Sequence, residues 1–231
     1  MPTHVNALAI LAKAPLAGTV KTRLVPPLTP AQAAQFYRAL LLDQFDHLRS
    51  FAGAERYVFY TPVDGEDALR ELAGAGYVYL AQSDGDLGAR MAQVFADLWH
   101  LGHRNIVLIG SDLPALPWAI LDEAISRLAK PERRVVLGPS LDGGYYLVGM
   151  NRPTPEIFAN MAWSHDRVFA DTIARLDALS LPYSVLPTWF DLDVAEDFHR
   201  LWQLPKSELR AGLSRTLACL EKLGVSPASK V

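Results

Sequence analysis

At 231 residues the chain has the length of one large domain or two small ones. Hydrophobic residues make up 50% of it and charged residues 20%, which supplies a sizeable core and excludes intrinsic disorder. Lys and Arg total 22 against 25 Asp and Glu, a formal charge of −3, so no global field recruits nucleic acid or anionic lipid.

The run Ala7–Ala12 is apolar without alternation and ends in a Pro/Gly loop, the pattern of a buried strand. It is too short for a secretory signal core, and no stretch approaches the ~18–20 apolar residues of a membrane span. A cytoplasmic location is the expectation. Thr29-Pro30 reads as the N-cap and first residue of a helix, in which Ala33, Phe36, Tyr37, Leu40, Leu41, Phe45 and Leu48 recur at helical spacing. Residues 56–60 predict a second strand, stopped by Thr61-Pro62; 64–73 predict a helix and 77–81 a third strand. Leu87, Met91, Val94, Phe95 and Leu98 mark another amphipathic helix, and 106–109 a buried strand that runs into Gly110-Ser-Asp-Leu-Pro114. A helix over 118–129 and strands over 134–138 and 145–148, joined by a Gly-rich turn, come next. The remainder reads as a helix over 164–179 with Ser164 as its N-cap, a strand over 183–187 and helix through most of 195–224. The last residues, 226–231, are expected to form a loose tail. Cys219 is the only cysteine, which excludes an internal disulfide and a cysteine-built metal site.

Strands alternating with helices of this length predict a single α/β domain over 1–225, a mostly parallel open sheet with helices on both faces. Ligands of such sheets sit outside the carboxyl ends of the strands. The unusual loops fall there: 13–24, 82–88, 110–114 and 191–193.

The first loop, KAPLAGTVKTRL (13–24), gathers Lys13, Lys21 and Arg23 around Pro15 and Gly18. Loop N–H groups and three cations can hold a polyphosphate; a solvated basic loop has the same composition. It is not a Walker A loop, because Val20 rather than glycine precedes Lys21-Thr22. QSDGDLG (82–88) is either a hydrogen-bonding loop that faces a ligand or a turn that caps the helix starting near Leu87. Asp112, at the end of the most apolar strand, is a carboxylate suited to Mg²⁺ or an Asx turn before Pro114. GPSLDGGYY (138–146) places Asp142 on Gly143-Gly144, which is a hairpin signal and also a place for close approach of a ligand. In DLD (191–193) the two carboxylates are expected to face opposite ways, so that one complements Asp112 and substitution of Asp191 is nearly silent. Trp163 either lines a pocket or packs in the core. The histidines, at 4, 47, 100, 103, 165 and 199, show no ligand spacing.

In this order AKAPLAGTVKTRL, GDLGARM, GSDLPAL, GPSLDGGYYLVG, Trp163-Ser164 and DLDVAEDF resemble a bacterial glycosyltransferase-like family of nucleotide-diphospho-sugar transferases with a GT-A fold (DUF2064-type), over residues 7–200. More remotely the chain is similar to sugar-phosphate nucleotidyltransferases and to the guanylyltransferase that acts on phospholactate. The resemblance implies that Lys13, Lys21 and Arg23, on the loop containing Gly18, hold nucleotide phosphates. It implies that Gln82 to Gly88, with Leu87, line the base, so that a bulky residue at Gly88 blocks binding. It makes Asp112 the metal carboxylate and Asp193 the second ligand of Mg²⁺ or Mn²⁺, with Asp112, Lys21 and Arg23 as the catalytic group. Asp142, Gly143 and Gly144, beside Trp163, would face sugar or acceptor. Two departures stand out: Leu16-Ala17 follows Pro15, and Val194-Ala195 replaces Thr-Pro after Asp193. The implied activity is metal-dependent glycosyl transfer from a nucleotide sugar to a small-molecule acceptor. The alternatives are nucleotidyl transfer from a nucleoside triphosphate to a phosphorylated acceptor with release of pyrophosphate, and a non-catalytic nucleotide-binding protein. No nucleic-acid partner and no membrane span are expected.

Overall fold

β1 (Asn6–Lys13) is apolar along most of its length because neither of its faces meets water. It runs parallel between β2 (Glu55–Thr61) and β4 (Asn105–Gly110), with Ala9 in register with Tyr57 on one side and Leu108 on the other. β3 (Val78–Ala81), β5 (Val135–Pro139), β6 (Tyr145–Met150) and β7 (Tyr183–Val185) complete a seven-stranded sheet of order β3-β2-β1-β4-β6-β5-β7. Every pairing is parallel except those of β6, which runs antiparallel to β4 and β5. The sheet is therefore the mostly parallel one expected, and the Asp-Gly signal before β6 is a true hairpin turn. The computed structural model describes residues 5–205, 207, 210 and 212–225; the tail expected over 226–231 lies outside them.

α1 (Pro30–Arg49) starts where the sequence places it. Thr29 Oγ1 accepts the Gln32 N–H and Gln32 Oε1 accepts the Thr29 N–H, a reciprocal capping box that stabilises the first turn. Its Tyr37, Leu41 and Phe45 pack on Leu8 and Ile10 of β1, together with α2 (Glu66–Ala73) and α4 (Trp118–Leu128). α3 (Leu87–His100) and α5 (Val168–Ala178) cover the other face, where Met91, Phe95 and Leu176 meet Ala7 and Ala9. The far side of α1, with Phe36 and Leu40, packs against Phe198 and Leu201 of α6 (Phe198–Gln203) and Leu220 of α7 (Ser214–Lys222). No helix among the described residues is long and apolar enough to cross a membrane.

Three stretches differ most from the sequence expectation, besides shifts of one or two residues at strand ends. Residues 63–65 form a 3-10 turn before α2. The helix expected from 164 starts at Val168, because Ser164 is left-handed (φ 67°) and caps nothing; His165 Nδ1 instead accepts the Arg167 N–H. The region 195–224 is a 3-10 turn followed by α6 and α7, with α6 ending before Pro205.

Asp43 joins α1 to α7. Its carboxylate is 2% exposed and accepts the Thr216 N–H and hydroxyl, each at 2.8 Å, besides contacts from Arg215. A carboxylate from one helix thus satisfies the free N–H groups at the start of another. Asp43→Ala is expected to lower unfolding stability by about 3 kcal/mol, the scale of lost hydrogen bonds to a buried charge. Urea denaturation checks this; an unchanged midpoint would remove Asp43 from that role.

Candidate active site

The loop after β1 is held by its apolar residues, and that decides where its cations go. Val20 and Leu24 are buried, and a 3-10 turn over Thr22–Leu24 follows Lys21, which is left-handed at φ 50°. Lys21 is thereby turned inward. Its side chain is only 3% exposed, and Nζ lies 2.7 Å from Asp112 Oδ1 and 2.6 Å from the Leu192 carbonyl oxygen. The Leu192 N–H in turn donates to the Asp112 carbonyl at 3.1 Å. Three loops are closed into one ring of contacts. Beneath it Tyr37, whose ring lies 5.8 Å from Lys21 Nζ, accepts the Lys13 N–H and shares a 2.7 Å hydrogen bond with Ser111 Oγ. Burial, followed by the Asp112 charge, pushes the Tyr37 phenol well above its ordinary range, so it stays neutral.

Arg23 stands apart from this. Its side chain is 68% exposed and pairs with Asp193 Oδ2 at 2.5 Å. Asp197 supports the loop that lacks the Thr-Pro step, since its Oδ2 accepts both the Asp193 and Val194 N–H groups at 2.9 Å. Asp191 corrects an expectation. Residues two apart along an extended backbone share a face; here Phe190 and Leu192 are buried, while Asp191 and Asp193 both line the cleft. Asp191 Oδ2 accepts the Ser140 hydroxyl at 2.5 Å. Burial raises its pKa to about 7, with the charges of Asp112 and Asp142 adding to the rise.

The cleft has two lobes of about 640 Å³ each, both at the carboxyl ends of the strands. The first lies between the loop 19–23, Gln82, residues 85–87, Arg90 and the end of β4. The second is walled by Asp142, Gly144, residues 163–166 and Val168. Lys13, Arg23, Leu87, Asp112, Tyr145, Asp191 and Asp193 belong to both. Lys13 makes no ion pair among the described residues, so its ammonium faces the cleft uncommitted.

The glycines expected to touch ligand divide. Gly144 lines the second lobe, but Gly18, Gly88 and Gly143 line neither. A Cβ on Gly88 would stand 2.8 Å from Trp163 Cζ2 and 3.0 Å from the Phe158 carbonyl oxygen, so this glycine serves helix packing. Gly143 has φ +90°, and a Cβ there would stand 1.9 Å from the Asp166 carbonyl oxygen; the backbone approaching it closely is the chain's own. Gln82 lines the first lobe while its amide donates to the Ala12 and Phe59 carbonyls across the ends of β1 and β2. Asp86 caps α3 through the Ala89 N–H, so that loop is both turn and wall. Sequence reasoning passed over Arg90, Ser140, Tyr145 and Asp166. Arg90 lies in GDLGARM, and Ser140 and Tyr145 in GPSLDGGYY, without a role of their own there, and no local pattern marks Asp166.

Asp112, Asp191 and Asp193 line the cleft together, and their carboxylates could offer oxygen to a divalent cation such as Mg²⁺ or Mn²⁺. Among the described residues no group of three His, Cys, Asp or Glu side chains is already gathered as a cage.

A pKa raised above the ordinary carboxylate range means that Asp191 stabilises the fold only while protonated. That contribution is complete below about pH 4 and is lost as pH rises through about 7. Asp191→Asn in chelator is therefore expected to be more stable than the parent at pH 8, by on the order of 2 kcal/mol, and nearly equal at pH 4. Parallel stability–pH curves would contradict this burial.

The comparisons with known proteins agree on this architecture. The model of a family described as "Uncharacterized protein conserved in bacteria (DUF2064)" matches residues 44–165. The structure of a candidate nucleotide-diphospho-sugar transferase from Desulfovibrio desulfuricans G20 matches with a TM-score of 0.82 and 27% identity, over 94% of this chain and 97% of that one. A cytidylyltransferase from Leptospira borgpetersenii shares the fold at TM-score 0.59 and 13% identity, over 98% of both chains. A CMP:2-keto-3-deoxy-manno-octonic acid synthetase in complex with CTP does so at 0.51 and 11%, over 94% of this chain and 99% of that one. No curated protein matches the sequence.

Proposed function

The chain belongs to the DUF2064 family of bacterial proteins, and we propose that it is a transferase that takes a nucleotide donor in the first lobe and an acceptor in the second. The observation that carries this reading is the junction itself. Asp112, Asp191, Asp193, Lys13 and Arg23 are common to both lobes, so groups bound in the two would meet where oppositely charged side chains converge. The likeness to a candidate nucleotide-diphospho-sugar transferase supports the same class.

The walls that are not shared divide the substrates. The first lobe adds Arg90 and the Asp112-paired Lys21 against Asp86, and the second adds Asp142 and Asp166 with His165. Phosphates belong with the first set and hydroxyl groups with the second, since carboxylates accept from hydroxyls and repel phosphate. This favours glycosyl transfer, in which the bond from sugar to nucleoside diphosphate breaks and an acceptor hydroxyl forms the new bond. Nucleotidyl transfer is the second reading, favoured by the shared fold with the two cytidine-nucleotide enzymes. In either chemistry Lys13 and Arg23 bind and orient the donor phosphates, and Lys21 holds Asp112 in place. Mg²⁺ or Mn²⁺ on Asp112 and Asp193 would neutralise the charge that develops on the leaving phosphates. Positioning and charge stabilisation do the rest.

A thermal-shift screen of nucleoside triphosphates and nucleotide sugars, with and without Mg²⁺ or Mn²⁺, tests the class. A true donor at ~100 times its dissociation constant adds roughly 2.7 kcal/mol of stability. Asp112→Asn is expected to remove the metal-dependent part of that shift and to lower turnover by roughly 10²–10³-fold. No stabilisation by any nucleotide in any metal would end the proposal.

A further inference from the structure

Two ion pairs cross the cleft side by side, Lys21 to Asp112 and Arg23 to Asp193, and they differ in burial. The Lys21 ammonium is 3% exposed and spends a second hydrogen on the Leu192 carbonyl. A buried ammonium without partners is costly, so this pair is fixed. Arg23 and Asp193 are open to water, at 68% and 36%, and an exposed pair is worth only a factor of a few in an equilibrium constant.

The backbone on both sides of the exposed pair is anchored. Leu24 is fully buried beside Arg23, and Asp197 holds the Asp193 and Val194 N–H groups. Breaking the pair therefore needs only a swing of the Arg23 side chain. Resting on the divalent-cation reading above, we propose that Arg23 is an exchange residue that couples cation and donor. In the free protein its guanidinium occupies Asp193. Donor phosphates, which offer a guanidinium a matching bidentate partner, draw it into the first lobe and release Asp193 for the cation. A guanidinium and a divalent ion on one carboxylate repel each other, so each ligand favours the other's binding, reciprocally. Arg23 acts on the cation through Asp193 and is a positioning residue towards it.

The test uses Mn²⁺ alone, titrated into metal-free protein and followed by loss of the free-ion paramagnetic resonance signal. The parent is compared with Arg23→Gln, Asp193→Asn, the double variant and Lys13→Gln, each shown folded by circular dichroism. Arg23→Gln is expected to bind Mn²⁺ about two- to fivefold tighter than the parent, the range of a released surface pair. Lys13→Gln, which removes a positive charge that makes no ion pair among the described residues, reports the plain field effect and is expected to gain less. In the Asp193→Asn background, loss of Arg23 is expected to gain no more than Lys13→Gln does. Equal gains in Arg23→Gln and Lys13→Gln, or a gain that survives in Asp193→Asn, would overturn the exchange. Absence of Mn²⁺ binding to all five proteins would remove the cation reading instead, and the exchange with it.

Discussion

The contact on which the site depends is the inward-turned ammonium of Lys21. It holds a side-chain oxygen of Asp112 and the backbone oxygen of Leu192 at once, and Leu192 returns a hydrogen bond to Asp112. Lys21 and Leu192, 171 positions apart in the chain, are fixed to one point at the end of β4. The ammonium can be there because Val20 and Leu24 are buried on either side and the backbone at Lys21 is left-handed. A lysine in this place is not a free phosphate ligand. It is what gives Asp112 a defined direction.

From that point the cleft divides by charge. The parallel strands bring their carboxyl ends together, the hairpin from β5 to β6 adds Asp142 and Tyr145, and the loop before α5 adds Asp166. One lobe receives basic side chains from the loop after β1 and from α3, while the other receives carboxylates. Under the proposed transfer, two substrates of different charge would meet at that shared group of aspartates.

The sequence made some of this legible because the signals were local. β1 and β4 carry uninterrupted apolar runs, Thr29-Pro30 with Gln32 is a complete start signal, and Asp112 follows a strand buried through 106–109. Other features depend on residues far apart in the chain. That Gly88 exists for Trp163, and Gly143 for the Asp166 backbone, follows only once the loop before α5 is folded against both. The left-handed Ser164 belongs to that same loop, and no periodicity marks it. Asp191 is different: residues two apart share a face, so its place beside Asp193 was open to plain strand geometry.

Anomalous scattering from Mn²⁺ in crystals grown with the nucleotide that stabilises the protein measures directly where a divalent cation and a nucleotide lie together. Mn²⁺ is expected within the usual coordination distance of the Asp112 and Asp193 carboxylates, with the nucleotide phosphates in the first lobe, beside Arg90, and Arg23 no longer paired with Asp193. A metal more than ~3 Å from every oxygen of both aspartates, beyond the bonds such ions make, or a nucleotide seated in the acidic lobe, would contradict this placement.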